Sequence, residues 1–294
     1  MKLANTCHPY ALITILCWSL AFIFTRITVN YFSAFSLGFL RYFVAALALI
    51  AVAVAKKIRP PERGDLKWFL LSGTTGFFLY ILTFNKGCET VTASESSMII
   101  ATVPALTAVL AAFFYKEKMG ALSWISIAIE LAGVAIITEV YKVGEANIGF
   151  LWLLCAAVLL SVYNVLQRKL TKKYTPLQTT IYSILTGALM LCIFLPGSIK
   201  EIRNAPPVQF LYIAILGVFS SAIAYFTWSV AFSKAKETAT VSNYMFLTPL
   251  LTSVLGFVMI NESPSKQTVT GGIVVLVGML AYNMAPRLKG KKAQ

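Results

Sequence analysis

The sequence predicts an all-α integral membrane protein, with ten transmembrane helices arranged as two inverted five-helix repeats. Three observations predict it. The composition is 58% hydrophobic and only 12% charged, where a soluble domain carries about 25% charged residues. Apolar runs recur along the whole chain at the length a helix needs to cross a hydrocarbon core of about 30 Å. Basic residues gather in alternate loops. A chain of 294 residues cannot enclose that much apolar surface in a water-soluble core. Lipid must be its main solvent, and disordered, collagenous and nucleic-acid-binding classes are excluded with the soluble one.

The runs cover about 9–28, 34–55, 67–85, 92–115, 121–139, 147–167, 176–196, 208–232, 238–260 and 267–285. Proline-rich breaks such as Arg59-Pro60-Pro61-Glu62 and Asn204-Ala205-Pro206-Pro207 separate them. Lys2 precedes the first run, which lacks a small-residue cleavage site and is long enough to span, so it reads as a retained helix. Loops on the side of the amino terminus hold 18 Lys and Arg, the other side holds 6, and Arg41 lies within a span. That bias marks the cytoplasmic side and puts both termini in the cytoplasm of a cell-membrane protein. It also accounts for the net charge of +14 without a nucleic-acid partner.

Catalytic and metal chemistry find little support. Cys7, Cys17, Cys88, Cys155 and Cys192 are odd in number and scattered, which fits neither a disulfide framework nor a metal spacing. His8 is the sole histidine. No nucleophile elbow, zinc-protease helix or phosphate loop occurs. The expectation is no enzyme, no metal and no cofactor.

Sliding the chain on itself by 145 positions aligns Tyr80 with Tyr225, Pro104 with Pro249, Glu117 with Glu262 and Gly133 with Gly278. The first two spans of each half align near an offset of 141–143. Five spans per half is odd, so halves 1–143 and 144–294 must cross the membrane in opposite senses. Such repeats place a binding site near the midplane at their interface.

Pro104 followed by Lys116-Glu117, and Thr248-Pro249 followed by Asn261-Glu262, each sit among small and apolar residues. This resembles the Pro-to-Glu signature of the EamA repeat. Ala224-Tyr225-Phe226-Thr227-Trp228, ahead of Ala239-Thr240-Val241, resembles that repeat's second copy. The chain is thus similar over its whole length to the drug/metabolite transporter superfamily. Trp18-Ser19 stands where relatives often have Trp-Gly, and Glu95 where the position is commonly uncharged. The resemblance implies a secondary transporter of small metabolites, first an exporter of amino acids or similar amphipathic solutes. Organic-cation or drug transport, a channel and a structural subunit are the alternatives. It implies a pathway among helices 1, 3, 4, 6, 8 and 9, with a small-molecule substrate, lipid and a coupling proton as partners, and a monomer or homodimer.

The residues suggest where the site lies. Pro104 and Pro249 each free a carbonyl four residues earlier, at Ile100 and Met245, which marks them as hinges. Helical spacing offers Trp18 and Phe22 on the first helix, Tyr80 and Phe84 on the third, and Glu95 and Met98 on the fourth. It adds Asn164 on the sixth, Tyr225 and Trp228 on the eighth, and Asn243 with Tyr244 on the ninth. Any one aromatic is explained by packing; the polar groups at membrane depth raise the set to a candidate cavity. Aromatic walls suit an apolar or cationic ligand. Glu95 is expected to bind the coupling proton or a substrate cation. Glu117 and Glu262 oppose their helix dipoles and need a compensating contact, such as a backbone amide of the next segment. Arg41 and Glu130 lie at membrane depth, where an ion pair between them would satisfy both.

Overall fold

The runs are helical in a computed structural model of the chain, which describes residues 6–115, 119–138, 147–234, 241 and 243–290. Among the described residues eight helices are long and apolar enough to cross a membrane: α1 (His8–Thr28), α2 (Ala34–Ala55), α3 (Arg63–Thr90), α4 (Ala93–Tyr115), α5 (Ala121–Thr138), α6 (Ile148–Leu170), α7 (Pro176–Asn204) and α8 (Pro207–Ala231). Two shorter apolar helices follow, α9 (Leu247–Ile260) and the stretch Lys266–Tyr282 of α10 (Lys266–Gly290). Helices α3 and α7 outrun their apolar stretches because hydropathy marks only the part suited to lipid. The helices continue into polar ends such as Lys200–Asn204 of α7.

Packing obeys an exchange of each helix with the one five places on. Helix α1 packs on α8 and α9, and α6 packs on α3 and α4. Likewise α2 packs on α8, and α3 on α7, while α2 meets α7 and α5 meets α10. The α5–α10 seam shows the direction of the exchange. Gly133 lies against the backbone of Gly271 and Val275, and Gly278 against Ser126 and Glu130. A Cβ on Gly133 would come within 2.7 Å of the Gly271 carbonyl, so only close backbone approach fits there. Because 133 meets 271 and 126 meets 278, the two helices run antiparallel. Ser126 and Gly271 are themselves 145 apart. Inversion is therefore visible in the packing.

Caps and loops repeat the relation. Ser33 and Thr175, 142 positions apart, each accept a bond from the amide three residues on. Glu201, near the end of α7, accepts hydrogen bonds from the Ser33 amide and hydroxyl at 2.8 and 2.9 Å. At the opposite end Lys173 pairs with Asp65 and Glu62, and Tyr174 donates to Asp65 at 2.6 Å. The bonds to Asp65 and Glu62 hold the Lys173 ammonium above its usual pKa.

Two departures from regular helix recur in both halves. Helix α3 carries a π turn at Thr74–Phe78, and α8 carries one at Ile215–Ile223. Helix α4 is broken into Ala93–Ile100 and Val103–Tyr115 by a turn at 101–102. A 3-10 turn, Asn243–Phe246, precedes α9. Pro104 and Pro249 thus lie in the first turns of the α-helical segments that follow, Val103–Tyr115 and Leu247–Ile260. A proline in a first turn costs least, since its missing N–H has no helical partner there. Glu117 falls outside the described residues.

Candidate functional site

A cavity of about 50 Å³ lies between the halves, lined from α1, α2, α3, α4, α6, α8 and the turn into α9. Its walls follow the repeat. Tyr80 and Tyr225, Ile100 and Met245, and Val103 and Thr248 are pairs at offset 145, and all six line it. Trp18 with Leu160, Ala21 with Tyr163, and Phe22 with Asn164 are pairs at offset 142, and they line it too. A cavity walled by exchanged pairs sits on the axis relating the halves.

The helix irregularities position these residues. Ile100 and Met245 precede their prolines by four, so their carbonyls have lost a helical donor. Both face the cavity region, where that loss is tolerable. Tyr80 and Tyr225 follow the two π turns directly, which rotate the next turn of helix relative to the preceding one. Gly76, inside the first π turn, lies against the Tyr163 ring and has no room for a Cβ. Phe77 meets Tyr163 and Tyr225 at 5.0 Å between ring centroids, bracing both hydroxyl-bearing rings.

Aromatic contacts close the walls. Trp18 stands edge-on to Tyr225 at 5.5 Å and tilted on Trp228 at 5.0 Å. Phe22 and Phe84 meet edge-to-face at 5.3 Å, and Phe84 stacks on Tyr80 at 5.7 Å. Asn164 donates to Thr107 Oγ1 at 3.2 Å, and its neighbour Ser161 to the Val103 carbonyl at 3.2 Å, tying α6 to the α4 segment that follows the break. The volume accommodates only a few waters. Any larger ligand requires the walls to part.

One turn beyond Phe22 and Phe84, a polar network joins four helix ends. Arg26 pairs with Glu262 at 2.8 Å and donates to the carbonyls of Cys88 and Glu89 at 2.9 Å. The other oxygen of Glu262 accepts from the Ala93 amide at the start of α4, also at 2.9 Å. Asn261, with φ of 53°, ends α9 in the left-handed region and turns Glu262 back toward α4. The compensating amide expected for Glu262 is therefore supplied by the other repeat, not by the next segment.

Of the residues singled out by sequence, Trp18, Phe22, Tyr80, Phe84, Asn164, Tyr225 and Trp228 line the cavity. Three do not. Glu95 closes a capping box, accepting from the Thr92 hydroxyl at 2.8 Å, and also accepts from Thr268 at 3.0 Å. A carboxylate at a helix N-terminus with these donors is fully used. Met98 packs under Gly272 of α10, on the face of α4 turned toward α5 and α10. Tyr244 hydrogen-bonds the His8 ring at 2.7 Å. The Asn243 side chain lies outside the described residues. Arg41 and Glu130 do not pair: Arg41 lines the cavity, and Glu130 is buried in the α5–α10 seam. Sequence reading named Met245 only for its carbonyl and missed Tyr163, which lies 142 positions after the lining residue Ala21.

Comparison with known proteins agrees with this architecture. Residues 5–139 and 147–284 each match the sequence profile of the EamA-like transporter family. The chain is 32% identical to the uncharacterized transporter YdfC of Bacillus subtilis (strain 168), over 89% of this chain and 86% of that one. It is 28% identical to a probable terminal-alkyne amino-acid exporter of Streptantibioticus cattleyicolor, over 96% and 95% of the two chains. An S-adenosylmethionine uptake transporter of Rickettsia prowazekii is 22% identical over 84% of this chain and 82% of its own. A crystal structure covering 96% of this chain and 98% of its own superposes with a TM-score of 0.64 at 19% identity, a likeness of fold alone. With that family's pattern present in both halves and a cavity on the axis between them, the chain belongs to the EamA-like transporter family.

Proposed function

We propose that the protein is a secondary transporter that exports amino acids or similar amphipathic solutes across the cell membrane by alternating access. In this reading all ten helices span, both termini are cytoplasmic, and the halves divide at 143 and 144. Trp18, Phe22, Tyr80, Phe84, Asn164, Tyr225 and Trp228 form the substrate site, and the breaks at Pro104 and Pro249 are its hinges. One observation carries the proposal: a cavity walled by exchanged pairs lies beside helix irregularities in both repeats, a break in α4 and a 3-10 turn leading into α9. Identical elements on opposite sides of a site allow the same motion to open either face. In this reading the Arg26–Glu262 pair closes the cavity on the side that the basic-residue count predicts to be the outer face. Energy must come from an ion gradient or the substrate's own, and a proton is the simplest candidate.

Purified protein in liposomes tests this. A carrier gives saturable uptake, and solute trapped inside accelerates entry of labelled solute. Non-saturating flux would make it a channel, and no flux across a metabolite panel would leave a structural role.

A further inference from the structure

Arg41 is the one formally charged side chain among the residues lining the cavity, and it is 4% exposed. Its surroundings are built to hold it. Gly217 lies against the Arg41 carbonyl and Val44, so α8 approaches α2 as closely as backbones allow. The π turn of α8 then brings Ser221 to Arg41, whose Nε donates to the Ser221 hydroxyl at 2.8 Å. Ser221 in turn donates to the Leu216 carbonyl five residues back, a bond that π geometry makes available. The guanidinium carbon stands 5.7 Å from the Tyr42 ring centroid. The Nε is thus anchored, while both terminal nitrogens donate to no group among the described residues. The ion pairs among the described residues join Arg26 to Glu262, Lys86 to Glu89, and Lys173 to Glu62 and Asp65. Among those residues no carboxylate lines the cavity.

A guanidinium held among mostly apolar walls, with the four N–H groups of its terminal nitrogens left to the cavity, is best satisfied by an anionic ligand there. Its planar fork matches a carboxylate bidentately. The charge also breaks the symmetry of the walls. Offset 142 carries Arg41 to Ser183, whose hydroxyl accepts from Ser72 and Gln167 away from the cavity. The cavity therefore has one cationic side, on α2, and a lining elsewhere that is aromatic and aliphatic apart from Ser97, Asn164 and Thr248.

We infer that the transported solute carries a carboxylate and that Arg41 binds it, with the solute's apolar body against the aromatic walls. This rests on the carrier reading and names its substrate class. It differs from the apolar or cationic ligand expected from the aromatic residues alone, and it assigns no substrate role to Glu95.

Four matched probes test it on the full chain in lipid nanodiscs: 3-phenylpropionate, L-phenylalanine, L-phenylalanine methyl ester and 2-phenylethylamine. The readout is the ligand concentration needed to raise the unfolding midpoint by a fixed amount. The two acids should act at concentrations at least about tenfold below the ester and amine. Arg41→Gln should bring that ratio to about one, and Arg41→Lys should retain part of it. The ratio is measured within each protein, so a less stable variant still reports. Equal action of acids, ester and amine on the unsubstituted protein overturns the inference, as does an unchanged ratio in Arg41→Gln or no effect of either acid. Saturable liposome counterflow of solutes lacking a carboxylate would also overturn it and leave the carrier reading intact. Acid selectivity without saturable flux of any solute would do the reverse.

Discussion

Single residues divide here by what else is available to them. A carboxylate in an apolar run is costly, which singles out Glu95, yet Thr92 and Thr268 already donate to it at the start of α4. Arg41 is equally costly and, among the described residues, has one side-chain hydrogen bond, to Ser221, beside the Tyr42 ring. Sequence shows that a charge lies at membrane depth; it does not show which groups meet it across 180 residues of chain. The aromatic positions are easier to read, since Trp18 and Phe22 share one helical face, as do Tyr80 with Phe84 and Tyr225 with Trp228. Met98 and Tyr244 satisfy the same spacing but face α10 and α1 instead. Replacing Tyr80 or Trp228 by alanine should weaken apparent substrate affinity about tenfold, the scale of one lost aryl contact, with normal amounts of folded protein. Counterflow kinetics and size-exclusion profiles measure the two quantities; unchanged affinity in both variants would make these rings packing groups.

At the scale of elements, length and position are legible in the sequence, and irregularity is not. The ten apolar runs correspond, among the described residues, to eight helices long enough to span and two shorter apolar ones, because suitability for lipid is a property of composition. The π turns at Thr74–Phe78 and Ile215–Ile223 have no such signature, because an added residue in a helical turn is fixed by packing against neighbours. Pro104 and Pro249 announce a disturbance, and the chain places each in the first turn of an α-helical segment, after a break in α4 and after a 3-10 turn before α9. The α4 start, the α3 end and the α9 end meet at the Arg26–Glu262 network, the layer that closes the cavity at that face. Glu262→Gln should loosen this closure. Cys88, 1% exposed behind Arg26, is the reporter in a variant lacking the other four cysteines. An impermeant maleimide added outside should label it about tenfold faster in Glu262→Gln, matching the loss of charge-assisted bonds. Equal rates would show that the network does not hold that face closed.

For the whole molecule, the repeat is readable from a few spaced identities, and the packing extends it to every helix. Offsets of 145 for the later helices and 142 for the earlier ones relate caps, π turns, prolines and cavity walls alike. Two offsets instead of one explain why a single sliding comparison registers only the later helices of each half. The inverted arrangement requires the ends of α2 and α7 to lie on opposite faces. Cysteines placed singly at Lys57 and Arg203 should react with impermeant reagents from opposite sides of oriented membranes; reaction from one side would contradict ten spans.

The account stands on one cavity serving both faces in turn, and a cysteine at Asn164 in a cysteine-free chain tests that most directly. Asn164 lines the cavity and is the partner of Phe22 across the axis. In oriented vesicles the account predicts labelling from either face, with Glu262→Gln accelerating reaction from the outside and slowing it from the inside. Labelling from one face alone, both with Glu262 intact and in the Glu262→Gln background, would contradict alternating access through this cavity.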